Sequence, residues 1–186
     1  MERDLILPVR GEETGFERGS VFFVGTASVV IRYGGFTILT DPNFLHAGDH
    51  VHSGYGLRSR RLTNPAVEIE ALPPLDLIVL SHLHGDHFDR VAEAKLDKTL
   101  PIVTTPYAAR YLEGKGFRPL EGLRTWESMT VRKGDARLRV TSDARNTRPR
   151  PPEEGSPAGD GEHARVRGGR GRDPAAALHL RRHACT

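Results

Sequence analysis

The apolar run Leu75-Asp76-Leu77-Ile78-Val79-Leu80, preceded by Pro73-Pro74 and followed at once by Ser81-His82-Leu83-His84-Gly85-Asp86-His87, constrains this chain more than any other segment. A short apolar stretch between turn-forming and polar residues predicts a fully buried strand. Four potential metal ligands, His82, His84, Asp86 and His87, then fall on the loop that leaves it. Open α/β sheets gather their ligand sites at the carboxyl ends of strands, so this loop is expected to line a crevice. Gly85 lets the loop turn tightly among the ligands. His82 and His84 can converge on one cation while Asp86 and His87 turn toward a second, as two-metal hydrolysis requires. Imidazole and carboxylate donors suit Zn2+ and similar borderline cations, and Mn2+ or Fe2+ can use the same set. A solvated loop that merely happens to be rich in histidine is the competing reading, and this spacing behind a buried strand makes it much the weaker.

The flanking sequence supplies the rest of an α/β pattern. β-Branched and aromatic residues predict strands at 20–25, 28–33 and 36–40, with Gly34-Gly35 as a two-residue hairpin turn. Behind the histidine run, 90–96 reads as a short helix and 101–104 as a strand. A second helix follows over 107–115, with Pro106 at its first position and Gly116 just past its end. Strands at 128–133 and 136–141 resume an antiparallel pattern, and Trp126 and Met129 are expected in the core. Residues 1–19 form a polar arm with a short strand at Leu5-Ile6-Leu7. Residues 43–64 form a long loop over the substrate, with solvated histidines at 46, 50 and 52 and an Arg58-Ser59-Arg60-Arg61 cluster. Those arginines either receive a substrate phosphate or carboxylate or belong to the surface. Asp41, before Pro42, either forms the turn or fixes the tautomer of a ligand histidine.

The run His82, His84, Asp86, His87 matches the His-x-His-x-Asp-His signature of the metallo-β-lactamase fold superfamily at every position, and the chain resembles that family over about residues 20–142. The stretches Phe22-Phe23-Val24-Gly25-Thr26-Ala27-Ser28 and Phe36-Thr37-Ile38-Leu39-Thr40-Asp41-Pro42 are similar to its opening hairpin. Within it the chain looks most like the stand-alone hydrolases related to N-acyl phosphatidylethanolamine phospholipase D and to the lactonase that opens ascorbate phosphate. The resemblance implies an α/β fold, a four-layer αββα sandwich of two halves, of which this chain supplies the first. It also implies two zinc ions per intact site, the first held by His82 and His84 and the second by Asp86 and His87. Asp86 would steer a metal-bound hydroxide in the hydrolysis of an ester, lactone or phosphodiester of a small-molecule or lipid-like substrate.

At Asp143 the composition changes. Residues 1–142 hold 18 Lys+Arg against 18 Asp+Glu, whereas 143–186 hold nine arginines, no lysine and six acids, so the chain's +3 comes from the tail, as does its single cysteine, Cys185. With hardly an apolar run, this segment is expected to be disordered. Three readings compete: a flexible linker, an Arg-Gly segment that binds polyanions through charge, and out-of-frame translation. The third is preferred. Shifting the frame by one base lets Asp143–Pro149 encode Met-Pro-Gly-Thr-His-Gly-Pro and Leu178–Ala184 encode Tyr-Ile-Ser-Gly-Asp-Thr, which resemble the family's missing ligand segments. The tail histidines His163, His179 and His183 are then accidental, and a dedicated nucleic-acid role is disfavoured because no aromatic residue interleaves the arginines.

These features divide the chain into an arm (1–19), a partial metallo-β-lactamase-like domain (20–142) and a tail (143–186). The absence of a signal-peptide pattern and of a membrane span predicts a cytoplasmic protein. The expected function is metal-dependent hydrolysis, with negligible turnover from a half-complete centre. The alternative is a non-enzymatic fragment that binds polyanions through its basic tail. A sheet lacking its partner sheet is further expected to leave an apolar face uncovered.

Overall fold

A computed structural model describes residues 3–8, 19–52, 58–142 and 178–181. Six strands form the larger sheet. The first three are a meander of β2 (Ser20–Gly25), β3 (Ser28–Tyr33) and β4 (Phe36–Thr40). The turn between β3 and β4 uses Gly34 and Gly35, both at positive φ, as a primed hairpin turn demands. Three parallel strands follow, β7 (Leu77–Val79), β8 (Ile102–Thr104) and β9 (Leu120–Gly122), in the order β2-β3-β4-β7-β8-β9. Helix α1 (Arg90–Lys95) connects β7 to β8, and α2 (Pro106–Gly114) connects β8 to β9.

The apolar run around β7 is buried on both faces because it alternates between two cores. Ile78 and Leu80 pack with Val24, Val30, Leu39 and Ile102 against Ala92 of α1, Ala108 and Leu112 of α2, and Phe88 and Phe117. Leu77 and Val79 point the other way and join Phe36, Ile38 and Val103 against Met129, Val131, Leu138 and Val140. The last four residues belong to a second sheet of order β1-β10-β11-β12, built from β1 (Arg3–Leu7), β10 (Ser128–Lys133), β11 (Ala136–Ser142) and β12 (Leu178–Arg181). Helices, sheet and sheet therefore give three layers of the αββα sandwich. The outer face of the second sheet carries exposed Arg137 and Arg139 and an Arg132–Asp4 ion pair at 3.1 Å, with Ile6 as its exposed apolar residue.

The expectation of an uncovered sheet face is corrected here. The strands at 3–7, 128–133 and 136–142 build the facing sheet themselves, and the pairing of β1 with β10 joins segments over a hundred residues apart. Lys133 locks the two layers together. Its ammonium, in a side chain 9 % exposed, donates to the Gly35 carbonyl at 2.9 Å and to Asp76 Oδ2 at 3.1 Å, and Asp76 also accepts from the Thr37 amide. Breaking a pair this buried typically costs about 3 kcal/mol, because the surviving charge is stranded. Cover ends at β2: Val21 and Phe23 sit opposite Ile31 and Val29 on the inter-sheet side and are 72 % and 62 % exposed.

Three further expectations change. Trp126 is 75 % exposed, while Met129 is buried as expected. The long loop holds a small hairpin of its own, β5 (His50–His52) against β6 (Arg58–Arg60), in which buried Val51 is the one apolar residue, too short a pattern to betray a strand. Within the tail expected to be disordered, Leu178–Arg181 pairs antiparallel with β11; the rest of 143–186, with His163, His183 and Cys185, lies outside the described residues, as does most of the arm at 1–19. Among the described residues no helix is long and apolar enough to cross a membrane.

Candidate metal centre

Strands β4 and β7 are parallel neighbours, with Thr40 opposite Val79, so the residues that follow them emerge side by side at one edge of the sheet. Asp41 leaves β4 and the histidine loop leaves β7. Asp41 adopts φ 40°, a left-handed conformation that Asp tolerates better than most residues, and its backbone is held at both ends. Its N–H donates to the Val79 carbonyl at 3.1 Å, and its carbonyl accepts from Ser28 Oγ at 2.6 Å. This posture aims the carboxylate at the loop. Oδ1 accepts from the Ser81 amide at 2.7 Å and from Ser81 Oγ at 2.8 Å, while Oδ2 lies 3.2 Å from His87 Nδ1. Of the two readings of Asp41, the geometry therefore supports the one that orients a histidine.

The same network assigns the ring protons. Ser81 Oγ gives its own proton to Asp41, so it accepts from His82 Nδ1 at 2.9 Å. His87 Nδ1–H donates to Asp41. Both rings then carry their lone pairs on Nε2, turned away from Asp41. His82 Nε2 lies 3.0 Å from His84 Nδ1, and His87 Nε2 lies 3.9 Å from Asp86 Oδ2. One ligand atom each from His82, His84 and Asp86 falls within a mutual 4.8 Å. Two nitrogens bound tetrahedrally at ~2.05 Å stand about 3.3 Å apart, so the His82–His84 spacing is close to that of ligands already in place. Asp86 Oδ1 is buried and has no hydrogen-bond partner among the described residues. A buried carboxylate oxygen without a donor is costly, and a cation satisfies it. The residues present thus fit a metal ion. His87 joins this group through Asp86 and Asp41, its ring 4.0 Å from that of His82 between centroids.

Electrostatics separate the two histidines. Burial, reinforced by the neighbouring His87 and His84, pushes His82 down to about 4. Burial also acts on His87, but the hydrogen bond to Asp41 and the charges of Asp41 and Asp86 outweigh it and raise that ring above its ordinary value. At neutral pH His82 is an unprotonated ligand, while His87 holds its second proton to higher pH than an ordinary imidazole, so protons compete with a cation for His87 more than for His82.

The loop is braced from below. Asp89, buried at the start of α1, accepts from the amides of Val91 and Ala92 through Oδ1 and from those of Phe44 and Leu45 through Oδ2. Fully buried Asn43 donates to the Gly85 carbonyl at 2.7 Å and accepts from Arg61 Nη1 at 3.0 Å. Arg61 is thereby distinguished from Arg58 and Arg60, which are exposed on β6. Neither expectation for the arginine cluster, a substrate contact or plain surface, describes Arg61, which is buried and holds Asn43, and sequence reasoning gave no role to Ser81 or Asn43. Only Ser81 carried a signal, standing between the apolar run and the first ligand. His46 pairs with Glu68 at 2.8 Å on the surface and His50 is exposed, apart from the cluster.

Comparison with known proteins agrees with this geometry. The family model of the beta-lactamase superfamily domain matches residues 37–166, well over half of the chain. The chain belongs to that family. Two curated relatives of the metallo-β-lactamase fold member are 29 % identical to it. One is N-acyl-phosphatidylethanolamine-hydrolyzing phospholipase D, mitochondrial, of Saccharomyces cerevisiae, aligned over 71 % of this chain and 28 % of that protein. The other is the UPF0173 protein YddR of Bacillus subtilis, over 54 % and 41 %. The chain thus spans less than half the length of either. Among solved structures, a possible metal-dependent hydrolase from Veillonella parvula superposes with a TM-score of 0.54 at 19 % identity, covering 66 % of this chain and 47 % of that one. The isothiocyanate hydrolase from Delia radicum gut bacteria gives 0.52 at 23 %, covering 67 % and 47 %. These two likenesses establish the fold.

An NMR titration of the metal-free chain checks the assignment of protons. The His82 ring is expected to titrate near pH 4 and the His87 ring above the usual imidazole value of about 6.5. A His82 ring that titrates at or above that ordinary value would contradict the network.

Proposed function

We propose that this chain carries the first half of a dinuclear zinc centre that hydrolyses an ester, lactone or phosphodiester of a small-molecule or lipid-like substrate. The observation that carries the reading is the convergence of His82, His84 and Asp86 with one Asp86 oxygen left unpartnered. The name of the yeast relative, a phospholipase D, favours the phosphodiester among the three bonds. His82 and His84 hold the first cation; Asp86 and His87 hold the second. When bound, the cations polarise the carbonyl or phosphoryl centre and acidify the attacking water. Asp86 accepts a hydrogen bond from that water and steers it. Asp41 and Ser81 keep the histidine lone pairs aimed inward and take no part in the bond change. With two protein ligands for each cation, affinity is expected to fall orders of magnitude below that of a fully ligated centre, and turnover with it.

The out-of-frame reading of residues 143–186 belongs to the same proposal, since it supplies the ligands this half lacks. Sequencing the gene across the codons of Val140 to Arg145 tests it. Removal of one base supports the longer hydrolase, and confirmation of the present frame sinks that part of the proposal. The family match, which continues past Ser142 to residue 166, counts on the side of the present frame.

The hydrolase reading itself is tested at saturating zinc on a panel of generic phosphodiesters and lactones. The joint substitution His82→Ala and Asp86→Ala is expected to lower the rate by about a thousandfold. A rate that survives both substitutions unchanged would show that the hydrolysis arises elsewhere.

A further inference from the structure

Arg58 and Arg60 share the outer face of β6 and are exposed, whereas Arg61, the next residue, turns under the hairpin and is 8 % exposed. Its backbone is fixed there: the N–H donates to the Asp49 carbonyl at 2.8 Å, and the carbonyl accepts from the Gly48 amide at 2.9 Å. Nη1 donates to Asn43 Oδ1. Nε and Nη2 are buried without a hydrogen-bond partner, and Arg61 forms no ion pair among the described residues.

The carboxylates around it are engaged elsewhere. Asp49 accepts from Arg90 on Oδ1 and from the His46 amide on Oδ2, and Glu68 pairs with His46. Asp41 holds Ser81 and His87, and Asp89 caps α1. A buried charge with no counter-charge is among the costliest features a fold can carry. Water would satisfy the two donors and leave the charge uncompensated. An oxyanion does both, because Nε–H and one Nη2–H lie parallel on the same edge of the guanidinium, spaced for the two oxygens of a carboxylate or phosphate.

The backbone beside this edge is shaped around it. Gly25 ends β2 at φ 147°, and a Cβ there would stand 3.2 Å from Arg61 Nη2, so glycine keeps that flank of the guanidinium clear. The place is also joined to the metal loop by hydrogen bonds. Gly25 pairs with Ser28, whose Oγ donates to the Asp41 carbonyl and accepts from the Asn43 amide. Asn43 in turn links Arg61 to the Gly85 carbonyl, beside the ligand Asp86.

We propose that the Nε–Nη2 edge of Arg61 is an oxyanion site, taking one carboxylate or phosphate group beneath the metal loop. The site asks nothing of the cations, so it goes beyond the hydrolase reading and stands or falls without it.

Inorganic phosphate and formate, titrated calorimetrically into the full metal-free chain at constant ionic strength, test the proposal. One anion is expected to bind per chain; formate alone marks a carboxylate site, and phosphate as well marks a phosphate site. Arg61→Lys keeps a charge and a donor for Asn43 but lacks the fork, and should weaken binding about tenfold or more. Replacing the exposed pair, Arg58→Gln with Arg60→Gln, should leave the affinity within about twofold, since exposed charges are screened. On the isotope-labelled native chain the Arg61 Nε–H resonance should move on anion addition and exchange more slowly with water, a reading that needs no variant to fold. No saturable binding of either anion, an unmoved resonance, equal affinity in Arg61→Lys, or loss of binding in the Arg58 and Arg60 double variant overturns the proposal. Zinc is absent throughout, so failure of the hydrolase reading leaves this result unchanged.

Discussion

The carboxylate of Asp41 is the point on which the centre depends. It joins the ends of two parallel strands, because the groups it satisfies, the Ser81 amide and hydroxyl and the His87 ring, all follow β7 while it follows β4. Neighbouring parallel strands place their exits about 4.8 Å apart, within reach of one short side chain. Through Ser81 and His87 the same carboxylate decides which nitrogen of each ring keeps its proton, and hence where the lone pairs point. Without a charge at that position the loop would still exist, but nothing would orient its rings.

The larger sheet serves the centre by rigidity. Ile78 and Leu80 on one face and Leu77 and Val79 on the other anchor β7 in two cores at once, so the loop starts from a strand that cannot tilt. Asp89 repeats this on the far side of the loop, where one buried carboxylate caps α1 and ties down the chain after Asp41. Arg61, through Asn43, holds the Gly85 carbonyl in the middle. The ligands are thus fixed at three places along a seven-residue run, which is the kind of pre-organisation that metal binding rewards.

Much of this was legible in the residues. The run at 75–80 was readable because a strand buried on both faces has no polar alternation, and α2 because Pro106 and the Gly116 exit punctuate it. The spacing of His82, His84, Asp86 and His87 marked them as candidate ligands, but it paired Asp86 with His87 and did not show that Asp86 closes on the two imidazoles. Less was written in any local pattern. The hairpin of β5 and β6 consists of three-residue strands in which Val51 alone is apolar, and the second sheet depends on β1 finding β10 across most of the chain. Trp126 misled because aromatic residues usually repay burial, and only the backbone angle shows that this one is held outward. Arg61 and its two neighbours in the cluster are the same residue type with opposite fates, and burial alone separates them.

Zinc K-edge X-ray absorption on the chain loaded with one equivalent of metal tests the central claim most directly. The account predicts a first shell of nitrogen and oxygen at about 2.0–2.1 Å, with the outer-shell scattering of two imidazoles from His82 and His84. A shell of oxygen alone, with no imidazole scattering, would contradict it.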